Sequence, residues 1–255
     1  MDRATALAPF RSSPATALVA VDFDGTLSPI VDDPASARPV DGVPDVLEAL
    51  AGLVGEVAVV SGRPLAFLEQ WFPHGSKVGL YGLYGLEARR DGERVDHPSS
   101  GVWRETIADV AARAVRTGPE GMEVEPKGLS ITLHYRQHPE VADAVEAWAR
   151  EAAAPSGLRC RPAKMSVELH PPIDEDKGTV LVRLAADITG PVFFGGDDVG
   201  DLPAFEALDR LAAEGRPVLR VAVDGPEAPV ALTERADLLV RDPHGMAELL
   251  GALLD

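Results

Sequence analysis

Two hydrophobic rhythms alternate along the chain. Continuous apolar runs occur at "ALVAV" (17–21), "VAVV" (57–60), "KVGLYG" (77–82), "VFFGG" (192–196) and "VLRVAV" (218–223), with a shorter one in "ADLLVRD" (236–242). Such runs read as strands buried on both faces. Between them lie helical patterns: "VPDVLEALAGL" with Pro44 in its first turn, "PLAFLEQWF", "KGTVLVRLAAD", "LPAFEALDRLAAEG" and a last helix from His244. Strands alternating with helices predict a parallel sheet covered on both sides, a Rossmann-like α/β core.

From about 89 to 171 the rhythm changes to strict alternation. In "LSITLHYR", Leu129, Ile131, Leu133 and Tyr135 share one parity and Ser130, Thr132, His134 and Arg136 the other. "KMSVELH" repeats the pattern, with Met165, Val167 and Leu169 set against Lys164, Ser166, Glu168 and His170. Period-two segments belong to an antiparallel sheet with one polar face. With the helical stretches "WRETIADVAARAV" and "PEVADAVEAWAREAA", they predict an inserted α+β domain of order αββαββ. The expected division is 1–88 with 172–255 as core and 89–171 as insert.

Composition narrows the function. The 255 residues, 45% hydrophobic, can fill more than one core, and 24 basic against 41 acidic residues give a net charge of −17. That balance argues against nucleic acid or an anionic membrane as general partner. A single cysteine, Cys160, rules out an intrachain disulfide framework. No apolar run is long enough to span a bilayer, so a cytoplasmic protein is expected, with a monomer favoured.

The chemistry collects at strand ends, where open parallel sheets bind ligands. The first strand ends in Asp22 and Asp24, followed by Gly25 and Thr26. Buried carboxylates are costly unless paired or metal-bound. The second strand ends in Ser61-Gly62-Arg63, whose hydroxyl and backbone N–H groups suit a phosphate oxygen. A later strand ends in Gly195-Gly196-Asp197-Asp198, with Asp201 close behind, and Lys177 opens the preceding helix. So many acids at one edge call for a cation, and hard oxygen ligands suit Mg²⁺.

"DFDGT", Ser61, Lys177 and "GDD", in that order, resemble the four motifs of the haloacid dehalogenase superfamily of phosphatases. The resemblance implies Asp22 as nucleophile, forming an aspartyl-phosphate, and Asp24 as general acid–base. It implies Mg²⁺ on the Asp22 carboxylate, the Asp24 main-chain oxygen and Asp197, with Asp198 or Asp201 holding the metal's waters. Thr26, Ser61 and Lys177 would hold the phosphoryl oxygens, with Gly25 and Gly62 letting the backbone approach them.

"SGRPLAFLEQW", "GLYGLE", "EPKGLSITLHYR", "KMSVELHPP" and "GDDVGDLPAF" extend the likeness to trehalose-6-phosphate phosphatases over nearly the whole chain. That family grips its disaccharide with residues of the inserted domain, which acts as a lid. The matching positions here are Glu125, Lys127, Arg136, Lys164 and Glu168, all on the predicted polar parity, with Arg63 and Glu87 near the seam of the two domains. The resemblance therefore implies a disaccharide phosphate as substrate, with another glycosyl phosphate, such as sucrose phosphate, or a non-catalytic partner of a synthase as alternatives. Tyr84 stands where the family often has histidine, and Gly200, Leu202 and Pro203 depart from its acidic and hydroxylated pattern.

Overall fold

A computed structural model describes residues 2–31, 33–163, 165–225 and 228–254. The chain divides into two compact units, Met1–Val95 with Glu175–Asp255, and Asp96–Asp174.

The first unit is built on an eight-stranded sheet. Its strands are β1 (Leu18–Val21), β2 (Glu56–Val60), β3 (Gly79–Gly82), β4 (Glu87–Arg90) and β5 (Glu93–Arg94), then, after the second unit's β6 to β9, β10 (Val192–Gly196), β11 (Val218–Val223) and β12 (Leu238–Val240). The order is β12-β11-β10-β1-β2-β3-β4-β5. Six strands run parallel, and β4 and β5 continue the sheet antiparallel. The β4–β5 hairpin thus belongs with the parallel sheet rather than with the insert, where a boundary at 88/89 would divide it.

The continuous apolar runs have the expected physical cause: alternate residues feed two separate cores. Val19, Val21, Val57, Val59 and Phe193 pack on helices α1 (Arg3–Ser12), α2 (Val43–Ala51), α3 (Leu65–Leu68) and, late in the chain, α9 (Pro243–Gly251). Leu18, Ala20, Ala58, Val60 and Phe194 face α6 (Lys177–Ala186), α7 (Leu202–Ala213) and α8 (Val230–Thr233).

Two helices differ from the pattern. The helix predicted over 64–72 stops at Leu68; Gln70 and Trp71 donate to Phe67 and Leu68 in tight turns, ahead of Pro73, which disfavours helix in the residue before it. Helix α1 was not expected, having Pro9 inside it. It is capped by Asp2, which accepts from Thr5 N at 3.0 Å, and it buries Ala6, Leu7 and Phe10. Its Arg3 and Arg11 donate to the Glu248 and Ala252 carbonyls at the end of α9, where cations are favoured.

In the second unit, α4 (Ser100–Thr117), β6 (Glu123–Pro126), β7 (Ile131–His134), α5 (Ala142–Ser156), β8 (Arg159–Ala163) and β9 (Ser166–His170) form the predicted αββαββ order. The sheet is antiparallel, β6-β7-β9-β8. Ile131, Leu133, Val167 and Leu169 are buried, and α4 and α5 pack on the sheet. Among the described residues no helix is long and apolar enough to cross a membrane.

Candidate active site

Parallel pairing of β1 between β10 and β2 brings three strand ends to one edge: Val21 lies opposite both Gly195 and Val59. Asp22 continues the ladder, its N–H donating to the Gly195 carbonyl at 2.9 Å. The chain then turns back sharply. Leu27 and Ser28 donate to the Phe23 carbonyl, and Gly25 to that of Ser28, with Gly25 at φ +74°. A Cβ there would lie 2.0 Å from Asp197 Oδ2. Only glycine both adopts this conformation at ease and lets the Asp197 carboxylate lie against the loop.

One oxygen from each of Asp22, Asp197 and Asp201 falls within 4.8 Å of the others. Lys177, at the first position of α6, reaches them with Nζ 2.9 Å from Asp22 Oδ1 and 2.6 Å from Asp201 Oδ1. Both ends of these contacts are almost wholly buried. Asp176 positions the lysine by capping α6, its carboxylate accepting from Thr179 N while the Thr179 hydroxyl accepts from Asp176 N.

The electrostatics follow from three carboxylates facing one ammonium. Burial pushes the Asp22 carboxyl well up, partly offset by Lys177 and reinforced by Asp201 and Asp197. Burial raises Asp197 to about 7, and Asp201 and Asp198 add to the effect. Asp201 is raised by burial against the pull of Lys177. Burial disfavours the Lys177 ammonium, yet Asp201 and Asp22 outweigh it and hold its pKa well above the ordinary value. The excess negative charge and the all-oxygen donor set fit a hard divalent cation.

Several of the expected site residues are also bonded to one another and to nearby backbone. Asp201 Oδ2 accepts from the backbone N–H of both Asp197 (2.8 Å) and Asp198 (3.0 Å), so with Lys177 on Oδ1 it ties the loop after β10 to α6. Asp198 is exposed, caps the next turn through Gly200 N at 2.8 Å and lies outside the converging triad. The Thr26 hydroxyl donates to Asp197 Oδ1 at 2.9 Å. Ser61 is buried and its Oγ accepts from Arg63 N at 3.1 Å. Arg63 grips Asp24 through Nε and Nη2, both at 2.7 Å. Glu87 accepts from Leu65 N at 3.0 Å and so anchors the start of α3 directly after the Ser61–Arg63 turn.

Tyr84 enters the site through its backbone. Leu83, Tyr84 and Gly85 carry φ of +49°, +58° and +94°, left-handed values that are strained for the first two. Tyr84 N donates to the Ser61 carbonyl, and a Cβ on Gly62 would meet the Tyr84 hydroxyl at 2.8 Å. The absence of a side chain at Gly62 is thus what admits the phenol.

In the second unit, Glu125, Thr132, Glu168 and Arg161 stand in one row across the four strands. Glu125 Oε2 lies 2.8 Å from His134 Nε2 and 3.6 Å from Lys127 Nζ. Glu168 is buried, with Arg161 at 3.7 Å. Arg136 falls in the turn after β7, half-buried, rather than on the strand. Lys164 lies outside the described residues. Arg161 and Thr132 were not singled out from sequence, although both keep the period-two parity that marks this row.

An acid-ended central strand, a lysine-opened helix and a parallel sheet interrupted by an α+β unit define a haloacid dehalogenase-like hydrolase fold. A hydrolase of that kind from Bacteroides thetaiotaomicron superposes with a TM-score of 0.61 over 92% of this chain and 98% of its own, at 15% identity. The trehalose-phosphatase family model matches residues 20–237, and the chain belongs to that family. A trehalose-phosphate phosphatase of Mycobacterium avium is 36% identical over 233 residues. The match takes in 83% of this chain but 56% of the relative, so the chain spans little more than half that protein. The C-terminal domain of C. albicans trehalose-6-phosphate phosphatase covers the whole chain and 97% of its own length, with a TM-score of 0.77 at 25% identity.

Proposed function

We propose that the chain is a Mg²⁺-dependent phosphatase that converts trehalose 6-phosphate to trehalose and inorganic phosphate. The convergence of Asp22, Asp197, Asp201 and Lys177 at one sheet edge carries this reading, in a chain of the trehalose-phosphatase family. Asp22 Oδ attacks phosphorus, the bond from phosphorus to the sugar oxygen breaks, and Asp24 gives that oxygen its proton. Asp24 then takes a proton from water, whose oxygen attacks phosphorus and breaks its bond to Asp22. Splitting the displacement in two lets one carboxylate serve as nucleophile and another as proton carrier.

Asp22, Asp197 and the Asp24 main-chain oxygen would hold Mg²⁺, while Asp201 braces the backbone that presents Asp197. The bound cation offsets the repulsion between carboxylate and phosphate. Lys177 supplies a fixed positive charge beside the nucleophile. In the second unit, the row of Glu125, Thr132, Glu168 and Arg161, with Lys127, offers the mixed donors and acceptors that a polyhydroxylated ligand requires.

Phosphate release from trehalose 6-phosphate, sucrose 6-phosphate and glucose 6-phosphate, with Mg²⁺ and with chelator, tests the proposal. Trehalose 6-phosphate should be the preferred substrate and chelator should stop release. Turnover of another sugar phosphate but not this one would overturn the substrate; no turnover of any would overturn the reaction.

A further inference from the structure

The sequence resemblance gives Arg63 to the substrate, but its guanidinium is already engaged within its own unit. Nε and Nη2 donate to the two oxygens of Asp24, each at 2.7 Å, and Nη1 donates to the Pro34 carbonyl at 2.6 Å. The Phe67 ring lies under the guanidinium carbon at 4.5 Å. The Ser61 hydroxyl and the Leu83 N–H hold the Arg63 backbone in turn. Carbonyl, ring and backbone thus fix the arginine before it meets Asp24. The exposures differ in a telling way: the Arg63 side chain is 13% exposed and that of Asp24 33%. Asp24 can meet a ligand while Arg63 stands behind it.

We propose that Arg63 is a positioning residue for Asp24. Its planar fork sets the plane and reach of the carboxylate, so that an oxygen points at the leaving group without rotamer search. The inference rests on Asp24 being the proton carrier. A lysine at 63 keeps the charge and loses the fork, which is the property that orients a carboxylate.

The test uses two substrates that carry no sugar, so a sugar-binding role for Arg63 cannot mimic the result. p-Nitrophenyl phosphate has a leaving group that departs without a proton; phenyl phosphate has one that benefits from protonation. Because kcat/KM reports steps through the first displacement, it isolates the proton delivered to the leaving oxygen. Arg63→Lys should lower kcat/KM for phenyl phosphate about 10²-fold more than that for p-nitrophenyl phosphate, the lower end of what general-acid catalysis supplies. Phe67→Leu, which keeps both charged groups, should move the same ratio in the same direction. On an Asp24→Asn background, Arg63→Lys should have no further effect, as expected of two groups acting as one unit.

Equal losses on both substrates, an unchanged ratio in both variants, or a full additional loss on the Asp24→Asn background would each overturn the role of Arg63 and leave the phosphatase reading standing. A wild-type chain that hydrolyses neither these phosphates nor trehalose 6-phosphate with Mg²⁺ would overturn both.

Discussion

Replacing Lys177 by methionine removes the cation held against Asp22 and Asp201 while nearly preserving the volume of its buried stem. At 2.9 and 2.6 Å, with an effective dielectric of 20, each of these attractions is about 6 kcal/mol before desolvation. Most of that is offset by taking the charges out of water, and removing one partner of a buried pair typically costs about 3–5 kcal/mol. For a chain of this size the loss corresponds to a fall in Tm on the order of 10 °C. The loss depends on pH, with a definite sign. Without the lysine, Asp22 and Asp201 have carboxyl pKa values raised still further in the folded state. The folded protein then binds more protons than the unfolded one from about pH 4 upward, so stability falls as pH rises. Urea unfolding in chelator should therefore show a small deficit for Lys177→Met near pH 5 and the full deficit near pH 8. A variant as stable as wild type at pH 8, or one whose deficit shrinks as pH rises, would refute the charge balance described for this pocket.

Three further outcomes are expected. Asp22→Asn should abolish phosphate release while keeping or raising the thermal midpoint in chelator, because a neutral amide is cheaper to bury than a carboxylate crowded by Asp197 and Asp201; a phosphate assay and a melt on the same sample check both. The rise in thermal midpoint on adding Mg²⁺ should be greater at pH 8 than at pH 5.5, since Asp197, raised to about 7, must give up its proton to bind the ion; calorimetric scans with and without the metal read the difference. Gly25→Ala should cost about 1–2 kcal/mol for the left-handed backbone alone, and its Cβ would displace the Asp197 carboxylate, so the Mg²⁺-induced rise should shrink as activity falls.

The parts legible in the sequence are those governed by local repetition. Continuous apolar runs give the parallel core because both faces of β1 and β10 are covered, and the parity of Leu129, Ile131 and Leu133 marks the antiparallel sheet. Asp22, Asp197 and Lys177 could be placed together because strand ends in a parallel sheet share an edge. What stayed hidden depends on contacts between distant segments or on conformations that residue type disfavours. Nothing local pairs Arg63 with Asp24, 39 residues away. Leu83 and Tyr84 are not glycine, so their left-handed backbone leaves no composition signal. Helix α1 carries an internal proline, and its arginines find their partners 241 and 245 residues along the chain.

The division of labour among the acids gives the pocket its logic. Asp201 spends its oxygens on two backbone N–H groups and Lys177, and so acts as a fixed brace. Asp197 is held less firmly, by the Thr26 hydroxyl and its contact with Gly25. Asp22 faces the Lys177 ammonium at 2.9 Å. Three carboxylates against one ammonium leave the pocket negative, so a phosphate dianion meets repulsion there until a divalent cation shifts the balance. A divalent cation held by Asp22 and Asp197 would supply the charge that lets the phosphate approach. The same imbalance makes protons the competitor of the metal, at Asp22 and Asp197 alike, since burial among like charges raises both carboxyls.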